Sequence, residues 1–345
     1  MKIDELQSYQ DVIKYLDKKG RDRHLLLGNG FSMAYDHKIF SYNALNTFID
    51  NIGDELLIKL FQVVNTKNFE IVMQQLDNFI EIAKVFTTDT KLVDRLVRAS
   101  QILRESLIDA VRTLHPEHVF KIPDEKSRKC AAFLNHFLSN GGKVFSTNYD
   151  LLLYWVLMRN KLDSKDGFGM EFEGFDEFSR EAEFADLAWG KYKDEQEIFY
   201  LHGALHLFDT GVEIEKEVYD SEHYLLEKIN ERIAEKDYPI FVAAGDGQQK
   251  MAHINHNKYL VHGMDQFSSI EGSLVVFGFG FGDSDRHIIN AINKAAKHGQ
   301  KTDERLWSVY IGVFSQSGLD RVREIESKFQ CKVKYYDART AGVWG

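Results

Sequence analysis

Between Lys143 and Asp150 the chain reads KVFSTNYD, a β-prone run that empties into Thr147, Asn148, Tyr149 and Asp150 just before the apolar helical run LLLYWVLM. Carboxyl ends of parallel strands open onto a crevice, which is where α/β proteins place their chemistry. An amide at such a corner can hydrogen-bond sugar hydroxyls or an attacking water through both of its poles, and a carboxylate beside it can orient the amide. Thr147, Asn148 and Asp150 are also preferred helix-capping residues, so on these residues alone a capping role and a chemical role both stand.

Three more strand ends carry unusual residues. HLLLGNGFS places Gly28, Asn29 and Gly30 after a short apolar strand, where glycine permits positive φ and lets backbone N–H groups come close to a phosphate. The full dinucleotide fingerprint needs a third glycine, and Met33 stands there; Asp50, at the distance of an acidic ribose ligand, falls in a helical pattern as a solvated residue. An ordinary Rossmann dehydrogenase is therefore disfavoured. EIFYLHG delivers His202 and Gly203, with His206 close behind, and an imidazole of ordinary pKa near 6.5 suits a general base near neutral pH. SLVVFGFGFGDSD carries Gly278, Gly280 and Gly282 into a turn where Asp283 or Ser284 is placed to cap a helix starting near Asp285. Capping is preferred to metal-dependent phosphoryl chemistry for the Asp283 and Asp285 pair. His253, His256 and His262 lack the HExxH spacing or cysteine partner that a zinc site would bring.

The elements that must hold these corners follow from periodicity. Apolar runs at 25–28, 143–147, 198–202, 273–278, 307–313 and 331–336 alternate with helical stretches, which predicts an α/β protein with an open, doubly wound, mostly parallel sheet. A short amphipathic helix over 11–19 ends at Gly20. From Ala44 to His115 there is one glycine, Gly53, and no proline, so residues 44–118 form an inserted helical subdomain whose exit is marked by Pro116 and Pro123. Two smaller insertions follow, 163–196 and 210–265: the first an acidic, aromatic excursion or hairpin over the crevice, the second mostly polar and partly helical.

At 345 residues one large α/β domain with insertions, or two domains, is expected, and the alternation of runs favours the first. A net charge of −10 argues against binding to a nucleic-acid backbone. Cys130 and Cys331 are too few for a disulfide framework or a four-thiolate zinc site and fit a reducing compartment. The start lacks the pattern of a signal peptide and no run of eighteen apolar residues occurs, so a cytoplasmic protein with no membrane segment is expected.

The four motifs in this order, Gly28-Asn29-Gly30-Phe31-Ser32, Thr147-Asn148-Tyr149-Asp150, His202-Gly203 and Gly278-Phe279-Gly280 with Asp283, resemble the sirtuin-like family. The resemblance is closer to its bacterial branch of NAD-consuming anti-phage defence effectors. It implies a Rossmann-like fold and NAD as substrate, cleaved by an NAD glycohydrolase to nicotinamide and ADP-ribose without a metal. Asn148, His202 and Asp150 would be the catalytic residues. Gly28, Asn29, Gly30, Phe31, Ser32, Thr147, Gly278, Phe279, Gly280 and Asp283 would line the dinucleotide. It further implies gating by homo-oligomerisation, an operon-encoded partner protein or a nucleotide activator, for which the helical block and the segment 163–190 are candidate surfaces. Sirtuin deacylases carry four zinc cysteines that this chain lacks, so deacylation is disfavoured. A nucleotide-sensing or scaffold subunit that uses the same pocket without turnover is the other alternative.

Overall fold

The computed structural model describes residues 2–36, 55–64, 69–87, 90–116, 118–162, 164–170, 172–175, 182–184, 187–218, 224–242, 247–297 and 305–345. Ala44, Gly53 and Asp50, and the opening of the first smaller insertion at Asp163, lie outside them. The described strands, in chain order, are β1 (Gln7–Ser8), β2 (Arg23–Leu27), β3 (Val144–Ser146), β4 (Phe168–Gly169), β5 (Phe172–Phe175), β6 (Ala182–Phe184), β7 (Ala188–Trp189), β8 (Ile198–Tyr200), β9 (Gly203–Asp209), β10 (Ile214–Lys216), β11 (Pro239–Phe241), β12 (Gly272–Phe277), β13 (Leu306–Val313) and β14 (Lys332–Asp337).

The main sheet has the order β1-β14-β13-β12-β2-β3-β8, with every pairing parallel. Its strands read as apolar runs because both faces are covered: Leu25, Leu26, Leu27, Val144, Phe145, Phe199, Leu274, Val275, Val276, Val309 and Ile311 are fully buried. The fold is a doubly wound α/β structure, as the alternation of runs predicts. With the two-residue edge strand β1 set aside, the remaining six strands take the order 3-2-1-4-5-6, which reverses direction between β2 and β12. Helices Asp124–Leu138 and Arg286–Lys297 are among those packed on the sheet.

Register aligns the chemistry. Phe277 pairs with Leu27, Leu27 with Ser146, and Ser146 with Tyr200, so four strands end in one row. The GNG, TNYD, HG and GFG motifs all leave the sheet just beyond that row.

The insertions differ from the sequence reading in one main respect. Residues 203–241 contribute three strands to a second, antiparallel sheet of order β11-β9-β10-β7-β4. Most of these strands span only two or three residues and so leave little period to detect. Within segment 163–196 the Lys165 carbonyl accepts the N–H of Glu197 (2.7 Å) and Ile198 (3.1 Å), covering the edge of β8. Helices Glu55–Val64, Phe69–Phe86 and Thr90–Leu114 form the described part of the helical block. Asp77 accepts from Ser100 Oγ (2.6 Å) within the block and from Tyr238 OH (2.8 Å), just before β11, which joins the block to the second sheet.

The glycines at the switch point have a steric origin. A Cβ on Gly28 would lie 2.5 Å from Phe279 Cα, and one on Gly30 would lie 2.6 Å from Gly278 Cα. The two loops are also stitched together, Gly28 N to Phe277 O at 3.0 Å and Gly30 N to Gly278 O at 2.7 Å. Gly28→Ala or Gly30→Ala therefore forces the two strand exits apart, and each should lower stability by about 1–3 kcal/mol. Urea unfolding checks this; midpoints equal to that of the parent chain would contradict it.

Candidate active site

The Asn148 backbone N–H donates to Ser146 Oγ (3.1 Å), and among the described residues its side chain is held through the amide nitrogen alone. Nδ2 donates to Gly28 O (3.1 Å) and Ser32 Oγ (3.0 Å), while Ser32 Oγ donates onward to Asp150 Oδ2. Gly28 O can only accept, and the Ser32 proton is given to Asp150, so both contacts require the nitrogen and fix which way the amide faces. Among the described residues Oδ1 accepts no hydrogen bond. Only the acceptor pole of Asn148 is available to a ligand, whereas the sequence reading allowed both poles.

Asp150 is buried, and its second oxygen accepts Leu152 N at 3.0 Å. Burial pushes its carboxyl up to about 6, opposed by the hydrogen bonds from Ser32 and Leu152. It thus orients Asn148 through Ser32, and it alone of the three polar residues also caps the helix Leu152–Arg159. Thr147 ties β3 to β2 instead, its N–H (3.0 Å) and Oγ1 (3.2 Å) both donating to Leu27 O. Tyr149 fastens the loop to the second sheet: its carbonyl accepts Leu205 N (2.9 Å) and its hydroxyl donates to Val242 O.

His202 leaves β8 on the neighbouring strand. Its carbonyl accepts Val242 N at 2.8 Å. Gly203 after it has φ +79°, and a Cβ there would sit 1.9 Å from Ile240 O, so only glycine makes the turn from the parallel into the antiparallel sheet. The His202 ring is buried, with Nε2 2.8 Å from Nε2 of His287. Burial, then His287, Lys250 and His253, hold the His202 imidazole well below its usual range. His287 is pushed down to about 4 by burial and by Lys250, against the opposing pull of Asp285.

The glycine loop is less open than its sequence suggests. The N–H groups of Gly28, Gly30 and Phe31 are all bonded within the protein, the last to Gly28 O at 2.8 Å, so these three do not form a free amide cradle. Phe31 and Ser32 are buried, and the Phe31 carbonyl accepts Trp344 Nε1 at 2.9 Å. Asn29 is half-buried, its amide donating to Met33 Sδ. Phe279 is packed edge-on against Phe281 at 4.8 Å. Gly280 is exposed, with no atom within 4 Å of where a Cβ would be. Asp283 is exposed, and neither it nor Ser284 caps the helix Arg286–Lys297. Asp285 secures that turn, accepting Gly282 N at 3.1 Å on Oδ2 and Lys250 Nζ at 3.0 Å on Oδ1.

Sequence reasoning passed over His287, Lys250 and Asp285 as a group, and also His115. The buried residues of helix Arg286–Lys297 include His287, Ile288, Ala291, Ile292 and Ala295, and that spacing could have placed His287 on its inner face. His115 accepts Leu151 N on Nε2 (2.9 Å) and donates from Nδ1 to Pro116 O (3.0 Å), and burial holds it down at about 4. His206 is fully buried beside Tyr154 and Tyr200, a core histidine with neither ring nitrogen partnered among the described residues.

Fold and site together define a doubly wound α/β protein with a polar cluster on the carboxyl edge of its sheet, beside the point where strand order reverses. A family model described as a domain of unknown function (DUF4917) matches residues 25–344, and the chain belongs to that family. No curated protein matches it. Among the described residues no helix is long and apolar enough to cross a membrane.

Asp150 gives the site a pH signature. Its folded pKa of about 6 lies above the unfolded value near 4, so across that window the folded chain keeps a proton that the unfolded chain has lost. Stability therefore falls as pH rises from about 4 to 6, by about 1.4 kcal/mol per unit of displacement, and the loss is complete above that. Asp150→Asn removes the ionisation. In urea unfolding the variant should gain on the parent chain across this window and hold its advantage at pH 8; a difference independent of pH would contradict the assignment.

Proposed function

We propose that this protein is an NAD glycohydrolase, cleaving the bond between nicotinamide and ribose to give nicotinamide and ADP-ribose. The observation that carries the reading is the single row of strand ends at a reversal of strand order. Open sheets of this order take dinucleotides at such a crevice. Fold alone does not decide function, so the reading rests equally on the groups gathered there. Resemblance of the four motifs to the sirtuin-like defence branch agrees with both.

In this reading the glycosidic bond breaks towards nicotinamide, which leaves with the bonding pair. A water adds to the ribose carbon and gives up its proton. Asn148 Oδ1, fixed by the two bonds made by its own nitrogen, accepts from a ribose hydroxyl or from that water. His202 takes the proton. Burial and the nearby Lys250 keep it neutral, the state a base requires. Asp150 holds the Asn148–Ser32 pair in place. The exposed turn around Gly280 and Asp283, following the Gly278–Phe279 crossing, is the surface that receives the rest of the dinucleotide. The amides of Gly28, Gly30 and Phe31 stay in the protein's own bonding.

A second reading, a nucleotide-sensing subunit without turnover, is favoured by one observation: His202 is shut against His287 instead of facing solvent. Nicotinamide release from NAD separates the two. The protein should release nicotinamide, with or without an added partner protein or nucleotide. Asn148→Ala and His202→Ala should each lower that rate by roughly 10²–10⁴-fold while the circular dichroism stays unchanged. Binding of NAD by calorimetry with no release under any condition would decide for the sensor, and equal turnover by both variants would refute the site.

A further inference from the structure

The hydrolysis reading leaves a buried group beside His202 without a task. His287 lies on the inner face of helix Arg286–Lys297, turned inward with Ile288, Ala291 and Ile292, and it is buried like its partner. Its Nε2 meets His202 Nε2 at 2.8 Å, with ring centroids 5.0 Å apart and planes 30° from each other. Two imidazole nitrogens at that distance share one proton: one ring donates and the other accepts, so the contact fixes the plane of the His202 ring and couples its tautomer to that of His287; donation from His202 Nε2 leaves His202 Nδ1 as an acceptor.

The start of this helix is itself anchored. The Asp285 carboxylate takes Gly282 N on one oxygen and the buried Lys250 ammonium on the other. His287 is two residues further on, so the ion pair between Lys250 on helix Gly247–His256 and Asp285 holds the turn from which it projects. The His202 backbone is clamped independently by Val242. Main chain and side chain of His202 are thus fixed from different elements.

We propose that His287 is a positioning residue for His202, holding its imidazole in one orientation and one tautomer so that Nδ1 is the nitrogen left for the reaction. The role rests on the glycohydrolase reading, in which His202 is the base. The titratable groups facing His202 are His287, Lys250 and His253, and all three act to keep it neutral. Replacing His287 with alanine removes one of them and opens the ring to water. The His202 pKa then rises towards the ordinary imidazole value of about 6.5.

The test compares the full-length protein with His287→Ala and His287→Gln, the glutamine amide having the reach to bond His202 Nε2. Nicotinamide release from NAD should fall about tenfold or more in kcat in His287→Ala, with KM unchanged. The acid limb of its pH profile should move to higher pH, and His287→Gln should recover most of the rate. Imidazole nitrogen NMR of the same three proteins reads the ring directly. His202 should show one tautomer in the parent chain and in His287→Gln, and averaged nitrogen shifts with a raised pKa in His287→Ala. Parental kcat and pH profile in His287→Ala, or equal losses in both variants with unaltered His202 signals, would overturn the proposal. A parent protein that releases no nicotinamide while the NMR differences appear would refute the hydrolysis reading and leave the ring-fixing role standing; no release and no NMR differences would refute both.

Discussion

Where the strand order reverses, the backbone of Gly28–Gly30 passes that of Gly278–Phe279 with no space for a Cβ on residue 28 or 30. Two amide-to-carbonyl bonds close the crossing, and they fix the height at which β2 and β12 release their chains. The Gly28 carbonyl is one of the two acceptors that orient Asn148. Loosening the crossing therefore turns the Asn148 amide as well as parting the sheet. A glycine pair that looks in sequence like a phosphate cradle is first a condition for two strand ends to approach, and any ligand contact is built on top of that.

The second constraint is electrostatic. A carboxyl group buried as deeply as Asp150 is costly to ionise, and burial raises its pKa to about 6 even against the hydrogen bonds that oppose it. The Ser32 hydroxyl and Leu152 N–H offset part of it, and Ser32 in turn must accept from Asn148 because its own proton is committed. The chain Asp150–Ser32–Asn148 therefore has a fixed direction of donation, at whose end a lone acceptor, Asn148 Oδ1, is presented. Apart from that oxygen the buried network is bonded throughout and therefore rigid, and rigidity is what orienting a small nucleophile demands.

How much of this was legible in the sequence depended on length of run. The parallel strands could be read because Leu25–Leu27, Val144–Phe145 and Leu274–Phe277 are apolar runs with polar corners behind them, and those corners marked Asn148, Asp150 and His202 as neighbours. The second sheet was not legible because β4, β7, β10 and β11 are too short to show a period. His287 was hidden differently. In GFGFGDSDRHI the acidic residues draw attention as caps, and the bond that matters joins residues 85 positions apart. Ser32 and Phe31 stand in the motif as ligand contacts, and the structure adds bonds that spacing does not show, Ser32 to Asp150 and Asn148 and the Phe31 carbonyl to Trp344. Sequence spacing gives which residues share a corner and not which of their atoms are already bonded.

The helical block enters the same argument through its last residues. His115, just past helix Thr90–Leu114, accepts the N–H of Leu151 with the nitrogen left free by its bond to Pro116 O, so a buried histidine is held as one neutral tautomer. Leu151 follows Asp150 directly and begins the helix whose next amide, Leu152 N, bonds the Asp150 carboxylate. At its other side the block, braced internally by the Ser100–Asp77 bond, is joined through Asp77 to Tyr238, next to the strand β11 after which Val242 clamps His202. Among the described residues the insertion thus touches the supports of both Asp150 and His202 without contributing a residue to the cluster itself. The place of helix Thr90–Leu114 therefore sets where His115 meets Leu151, next to the backbone on which the Asp150–Ser32–Asn148 chain is hung.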